Sequence, residues 1–188
     1  MSVSSATTPA LRRAIEKLPD VAAQENLSPP KRGELYLPKS HMRALSLDTT
    51  VVVGMRGAGK SVWTAALFDK GARQRLVDEG ASRQLAATRV FIGFGNDPYH
   101  GEHPDSETLQ HLLGKGIEAR YIWRGVLARK CAGFLDSPLP ADNYEALAVW
   151  SREQPEAYSE LLGKAAAALE QQGETLLLVF DSLDTTSS

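Results

Sequence analysis

Polar and apolar positions divide the chain near residue 46. Up to about Leu45 the sequence is Ser, Thr, Pro and charge, with one short amphipathic stretch at Ala10 to Leu18. This part reads as an irregular arm or linker, residues 1–45, carrying a short helix. Within it Leu27 to His41 holds three prolines, which favours an extended course over a surface. From Thr49 the pattern changes to TTVVV, a run of β-branched residues ending in glycine, as a fully buried strand requires. Lys60 to Asp69 predicts a helix with Val62, Ala65, Ala66 and Leu67 or Phe68 available inward, and Gly71 opens a second helical stretch to about Glu79. Val90 to Phe94 (VFIGF) predicts the next buried strand. Asp105 caps a helix that Gly114 or Gly116 ends. Ala119 to Phe134 gathers Ile122, Trp123, Val126, Leu127 and Cys131 on one helical face, with Arg124, Arg129 and Lys130 elsewhere. Asp142 caps a further helix through Trp150, Pro155 starts another that runs to Gly173, and Thr175 to Phe180 (TLLLVF) predicts a third strand. Strands alternating with helices imply an α/β fold, a parallel βαβ sheet with helices on both faces, from residue 46 to 188.

Composition narrows the setting more than the chemistry. The 188 residues are 43% hydrophobic, enough for one domain with a core and too few for two large ones. Lys and Arg number 21 against 23 Asp and Glu, a net charge of -2 that offers no global field for a nucleic-acid backbone. Cys131 is the only cysteine, so neither an internal disulfide nor a C-x-x-C motif is available, and a reducing, cytoplasmic setting is expected. No uninterrupted apolar run is longer than that at Leu176 to Phe180, far short of the roughly 20 residues that cross a bilayer. The N-terminal residues lack the apolar segment of a secretory signal.

Specific chemistry enters between the first expected strand and the helix after it. Gly54, Met55, Arg56, Gly57, Ala58, Gly59, Lys60 and Ser61 match G-x-x-x-x-G-K-[ST] at every fixed position. Such a loop needs glycines because its backbone curls so that successive N–H groups converge on phosphate oxygens. The helix N-terminus, continuing through Val62, adds partial positive charge. Lys60 is expected to reach the β and γ phosphates of a nucleoside triphosphate and Ser61 to ligate magnesium. At the other end of the chain LLLVFDSLD closes a buried strand on Asp181, where a carboxylate holds magnesium through water. Asp184, three residues on, is the candidate to orient an attacking water. The absence of an [NT]-K-x-D base-reading motif favours adenine over guanine, so ATP with Mg2+ is the expected ligand pair.

In these two motifs the chain resembles the P-loop NTPase superfamily, and GMRGAGKS with LLLVFDSLD looks most like bacterial signalling and defence ATPases of the STAND or KAP type, relatives of AAA proteins. The specific resemblance covers about seventeen residues. It implies ATP binding, slow or regulated hydrolysis, and a switch that reorients attached domains or drives assembly through self-association or a partner protein. The family roles fall on Lys60, Ser61 and Asp181. Ser182 stands where many AAA members carry a Glu after the Walker B Asp, which puts the catalytic base in question. Members of this type also place a later strand between the P-loop strand and the Walker B strand. The expectation is therefore a sheet incomplete at its C-terminal end, part of a longer ATPase. GMRGAGKS also resembles the P-loop of shikimate-kinase-like phosphotransferases, although the 45-residue arm and the late Walker B disfavour a small-molecule kinase. A non-hydrolysing nucleotide-binding scaffold is the third alternative.

Weaker constellations add little. His100, His103 and His111 with Glu102 and Asp105 could gather around zinc only if their loop folded back, and the Gly and Pro spacing favours a solvated loop near the ligand, shared with Asp97 and Tyr99. Arg120, Arg124 and Arg129 read as a solvated helical face, and Trp63, Trp123 and Trp150 as core fillers.

Overall fold

The computed structural model describes residues 38–55, 58–94 and 103–181. The expected helix at Ala10 to Leu18 lies outside them. The described chain is mixed α/β. After a 3-10 helix at Lys39–Leu45 come α1 (Lys60–Phe68), α2 (Lys70–Asp78) and a 3-10 turn at Arg83–Ala87. Then follow β1 (Thr88–Phe94), α3 (Ser106–Gly114), α4 (Ala119–Phe134), α5 (Tyr144–Glu153), α6 (Pro155–Gln172) and β2 (Thr175–Phe180).

Three of the helices begin where a short polar side chain satisfies a first-turn amide. Asp69 accepts from the Ala72 amide at 2.6 Å to cap α2, and Asp105 accepts from Thr108 at 2.7 Å to cap α3. Hydrogen bonding from the Thr108 side chain first, and from its amide second, holds the Asp105 carboxyl below its usual range. The cap of α5 is Asn143, which accepts from Ala146 at 2.8 Å, one residue beyond the expected Asp142. Both residue types cap well, and the position is decided by where the chain turns. Pro155 starts α6, and Gly173, at φ 63°, ends it in the left-handed conformation that glycine adopts without strain.

β1 and β2 pair in parallel, from Thr88 opposite Thr175 to Phe94 opposite Phe180, and form the two-stranded sheet found among the described residues. Four helices lie between them in sequence, as a parallel connection requires a long crossover. Arg89 fastens the start of the ladder, pairing with Glu174 and lying 5.0 Å from the ring centroid of Phe134.

The expected strand at TTVVV does not form. Val51, Val52 and Val53 are 73%, 49% and 90% exposed, and no regular element includes them. A strand exists only by pairing, and these valines lie across a cleft of about 490 Å3 from Leu177 to Asp181. The extended course expected through His41 is also replaced at its end, because Lys39–Leu45 coils into a 3-10 helix. Leu45 then packs with Ala66, Ala72, Leu76, Ala81 and Leu85 in one apolar cluster.

A second cluster joins Phe94, Leu109, Leu112, Ile122, Val126, Tyr144 and Leu147. α4 lies at its centre, touching α3, α5, α6 and β1. Gly125 permits the approach of α5, since a Cβ there would sit 3.1 Å from Leu147 Cβ and 3.2 Å from the Ala148 nitrogen. Being enclosed on several sides, α4 also buries Lys130, which its apolar stripe alone would leave outside. Its thiol, Cys131, is buried, and burial pushes that group up to about 11. Such a thiol stays protonated and inert near neutrality.

Candidate functional site

The glycine-rich loop turns into α1 at Gly59, whose φ of 82° lies in the left-handed region. A side chain there is strained, and at Gly54 a Cβ would approach Ala58 Cβ to 3.3 Å. The turn is held by the Ala58 amide, which donates to the Met55 carbonyl at 3.1 Å, and by the Val62 and Trp63 amides, which donate to the Gly59 carbonyl at 3.1 and 3.2 Å. Gly59 supplies no capping side chain to α1, so the helix start keeps amide donors for an anion. Met55, Ala58 and Ser61 are exposed, and Val62 is half-buried. Arg56 and Gly57 lie outside the described residues.

Lys60 bends back over the loop it follows. Its Nζ donates to the Gly54 carbonyl at 2.5 Å and to the Met55 carbonyl at 3.3 Å. An ammonium has three donors, and two carbonyls leave it able to engage a stronger, charged acceptor. Two anchors position this helix from behind. Arg73, 7% exposed, donates from Nη1 to the Leu67 carbonyl at 2.5 Å and so locks the α1–α2 corner. Burial lowers its pKa, with the Asp69 charge opposing. On the other side Trp63 Nε1 donates to His41 Nδ1 at 3.2 Å, the rings meeting edge to face at 5.7 Å. The indole has only a donor, so His41 accepts and carries its proton on Nε2. This pair ties the 3-10 helix to the loop helix, a link that a lone His 22 residues from a Trp did not signal.

Asp181 follows the last residue of β2, and its amide donates to the Phe94 carbonyl at 2.9 Å. It lines the same cleft as Gly54 and Lys60. The strand end and the loop are thus brought together as the motif pair leads one to expect. Ser61 is exposed and does not belong to the cleft lining. Asp184 lies outside the described residues.

The histidine loop differs from its expectation. His103 is 9% exposed rather than solvated, its Nδ1 lies 3.2 Å from the Pro104 carbonyl, and its ring is 6.4 Å from that of Phe94. The apolar end of β1 supplies a surface that draws the ring in. Among the described residues no group of three or more His, Cys, Asp or Glu could hold a metal ion. His100, Glu102, Asp97 and Tyr99 fall outside them. The arginines of α4 stack on tyrosines instead of standing free: Arg124 lies 4.1 Å from the centroid of Tyr158 and Arg129 5.3 Å from that of Tyr144. The three tryptophans are half-buried and in ring contact with His41, Phe94, Phe180 or Tyr158, as core fillers should be. Among the described residues no helix is long and apolar enough to cross a membrane.

Comparison with family models, with curated proteins and with solved structures gives no match. The chemistry of the loop and cleft therefore carries the functional reading.

Proposed function

We propose that the chain is a Mg2+-dependent ATP-binding module of P-loop NTPase type, a regulatory ATPase whose nucleotide state controls its conformation or its assembly with a partner. The observation that carries this reading is the placement of the Lys60 ammonium over the Gly54 carbonyl, on a cleft that Asp181 also lines. A cation folded onto the loop's own carbonyls is poised to exchange them for phosphate oxygens, which are charged acceptors and make the stronger bonds. The uncapped start of α1 contributes amide donors and the positive end of its dipole. Gly54 and Gly59 leave the backbone approachable where side chains would crowd or strain it.

The residues present fit a nucleotide-bound magnesium ion. Phosphate oxygens would supply most of its ligands, with the Ser61 hydroxyl beside them on the first turn of α1 and the Asp181 carboxylate across the cleft. When bound, the ion would neutralise charge between the terminal phosphates; the chain's own residues bind and orient that charge. The likeness to the STAND and KAP ATPases supports hydrolysis tied to a conformational change, and a cytoplasmic home accords with the single buried thiol.

Thermal denaturation with ATP, ADP or GTP, each with Mg2+, tests the reading. Ligand at 100 times its Kd stabilises the folded state by about 2.7 kcal/mol, so ATP is expected to raise the midpoint by several degrees and GTP by less. Equal midpoints with and without ATP at millimolar concentration would refute it. Phosphate release measured with and without candidate acceptors then separates an ATPase from a kinase, and stabilisation without turnover identifies a scaffold.

A further inference from the structure

The ladder between β1 and β2 is regular except at one point. Ile92 pairs with Val179 and Phe94 with Phe180, so Gly93 and Phe94 together oppose the single residue Phe180. This is a β-bulge, a device that re-aims the chain at the end of a strand. Its occupant is the one residue without a side chain, and the reason is steric. A Cβ at Gly93 would stand 2.7 Å from Cε1 and Cζ of Phe180 and 3.0 Å from Cγ of Leu178. The Phe180 ring therefore occupies the space a side chain at Gly93 would need. It cannot swing aside freely, because Trp123 meets it edge to face at 5.1 Å and Phe94 in turn meets Trp123 at 6.0 Å.

The bulge has a consequence for the next residue. It lets Phe94 and Phe180 join the same apolar cluster, and the Phe94 carbonyl then receives the Asp181 amide at 2.9 Å. Phe180 and Asp181 both line the cleft that Lys60 and Gly54 line, so the seat of the Phe180 ring and the bond to the Phe94 carbonyl together fix where Asp181 stands on it. In a regular ladder Gly93 would oppose Phe180 and Phe94 would oppose Asp181, so the bulge sets which β1 residue stands beside the start of Asp181.

We propose that Gly93 is a positioning residue: the bulge at Gly93, closed by the Phe180 ring, aims the Asp181 carboxylate and thereby sets how tightly the chain holds nucleotide-bound Mg2+. The proposal rests on the reading of the cleft as an ATP·Mg2+ site. It concerns only the metal-dependent part of the affinity, because the loop and Lys60 lie on other elements. Displacing a group that orients a metal carboxylate weakens metal binding by about tenfold.

The test is calorimetric titration of the full chain with ATP, once with Mg2+ and once with EDTA. Gly93→Ala is expected to remove about tenfold of the tightening that Mg2+ confers and to leave the affinity in EDTA unchanged. Phe180→Leu, which introduces no clash and retains apolar bulk, guards against a misfolded glycine variant and is expected to lose part of the same tightening. The double variant should be little worse than Phe180→Leu alone, because without the ring the closest contact left to the new Cβ is Leu178 Cγ at 3.0 Å. Asp181→Asn serves as the reference. If it abolishes the Mg2+ effect while Gly93→Ala and Phe180→Leu leave it intact, the bulge does not position the carboxylate and the proposal fails. If Asp181→Asn itself leaves the Mg2+ effect unchanged, the metal reading of Asp181 fails and the inference falls with it. An equal loss with and without Mg2+ in Gly93→Ala and Phe180→Leu would indicate general disruption and also overturn it.

Discussion

Lys60→Ala is expected to weaken ATP binding about 100-fold while leaving the chain folded. The ammonium is the one cation of the loop whose position the structure describes, and hydrogen bonds to charged groups contribute about 1.5–3 kcal/mol each. Losing the bonds to the terminal phosphates then costs about 2.7 kcal/mol, or two decades in Kd. Stability should change little, since in the free chain the side chain serves only the Gly54 and Met55 carbonyls and stays half-buried. Lys60→Arg is expected to recover only part of the affinity, because a planar fork does not occupy the space of a compact point charge. Calorimetry gives the affinities and circular dichroism the fold. Equal affinity in Lys60→Ala and the unaltered chain would remove the lysine from the site.

Phe94→Ala should produce the largest loss of stability, about 3–5 kcal/mol. The side chain is fully buried at the end of β1, against Trp123 on α4 and His103 ahead of α3. It joins the strand end to the helical layer. Native domains hold only about 5–15 kcal/mol in total, so the variant is left marginal, with its thermal midpoint lower by about 10 °C. Leu113→Ala on the neighbouring helix α3 provides the contrast. Leu113 is 44% exposed, and its truncation should stay within about 0.5 kcal/mol. Urea titrations compare the two, with unchanged slope showing that stability alone has moved. A loss under 1 kcal/mol in Phe94→Ala would mean that the second cluster does not hold the strand.

Much of the fold was legible because its signals are local. The cap at Asp105, Pro155 at the start of α6 and Gly173 at its end act within one turn, and periodicity marked Ala119 to Phe134 to the residue, whereas Asp69, read as the end of one helix, caps the next. TTVVV carried an equally strong local signal and misled, because strand formation is a property of a pair. β-branched residues favour a pleated surface, yet the cleft beside Val51 to Val53 leaves them without a partner among the described residues. The same limit explains Lys130 and His103. Each is polar by sequence and buried in the fold, Lys130 on a helix that touches α3, α5, α6 and β1 and His103 near the ring of Phe94 on β1.

The site divides along similar lines. G-x-x-x-x-G-K-[ST] marks Gly54 to Ser61 because the curl of such a loop dictates residue type, and among the described residues Gly59 is left-handed and Lys60 folds back onto the Gly54 carbonyl. Lys60 and Asp181, the two ends of the motif pair, line one cleft. Ser61 sits on the expected turn but stays outside the lining of the cleft. The supporting contacts were not legible. Arg73 on the Leu67 carbonyl, His41 on Trp63 and Phe180 on Gly93 join residues that no spacing rule connects. Of these only Gly93 left a trace, as an isolated glycine inside a strand pattern, which often signals a bulge or a close approach.

The central claim is that the backbone from Gly54 to Val62 forms the phosphate site. Backbone amide resonances followed by NMR during titration with ATP·Mg2+ test it most directly, because the claim assigns the ligand to particular N–H groups. The account predicts saturable shifts largest at Gly57, Gly59, Lys60 and Ser61, with smaller ones at Asp181 and none on the far end of α6. Saturation with the loop amides unmoved, or shifts confined to another surface, would contradict it.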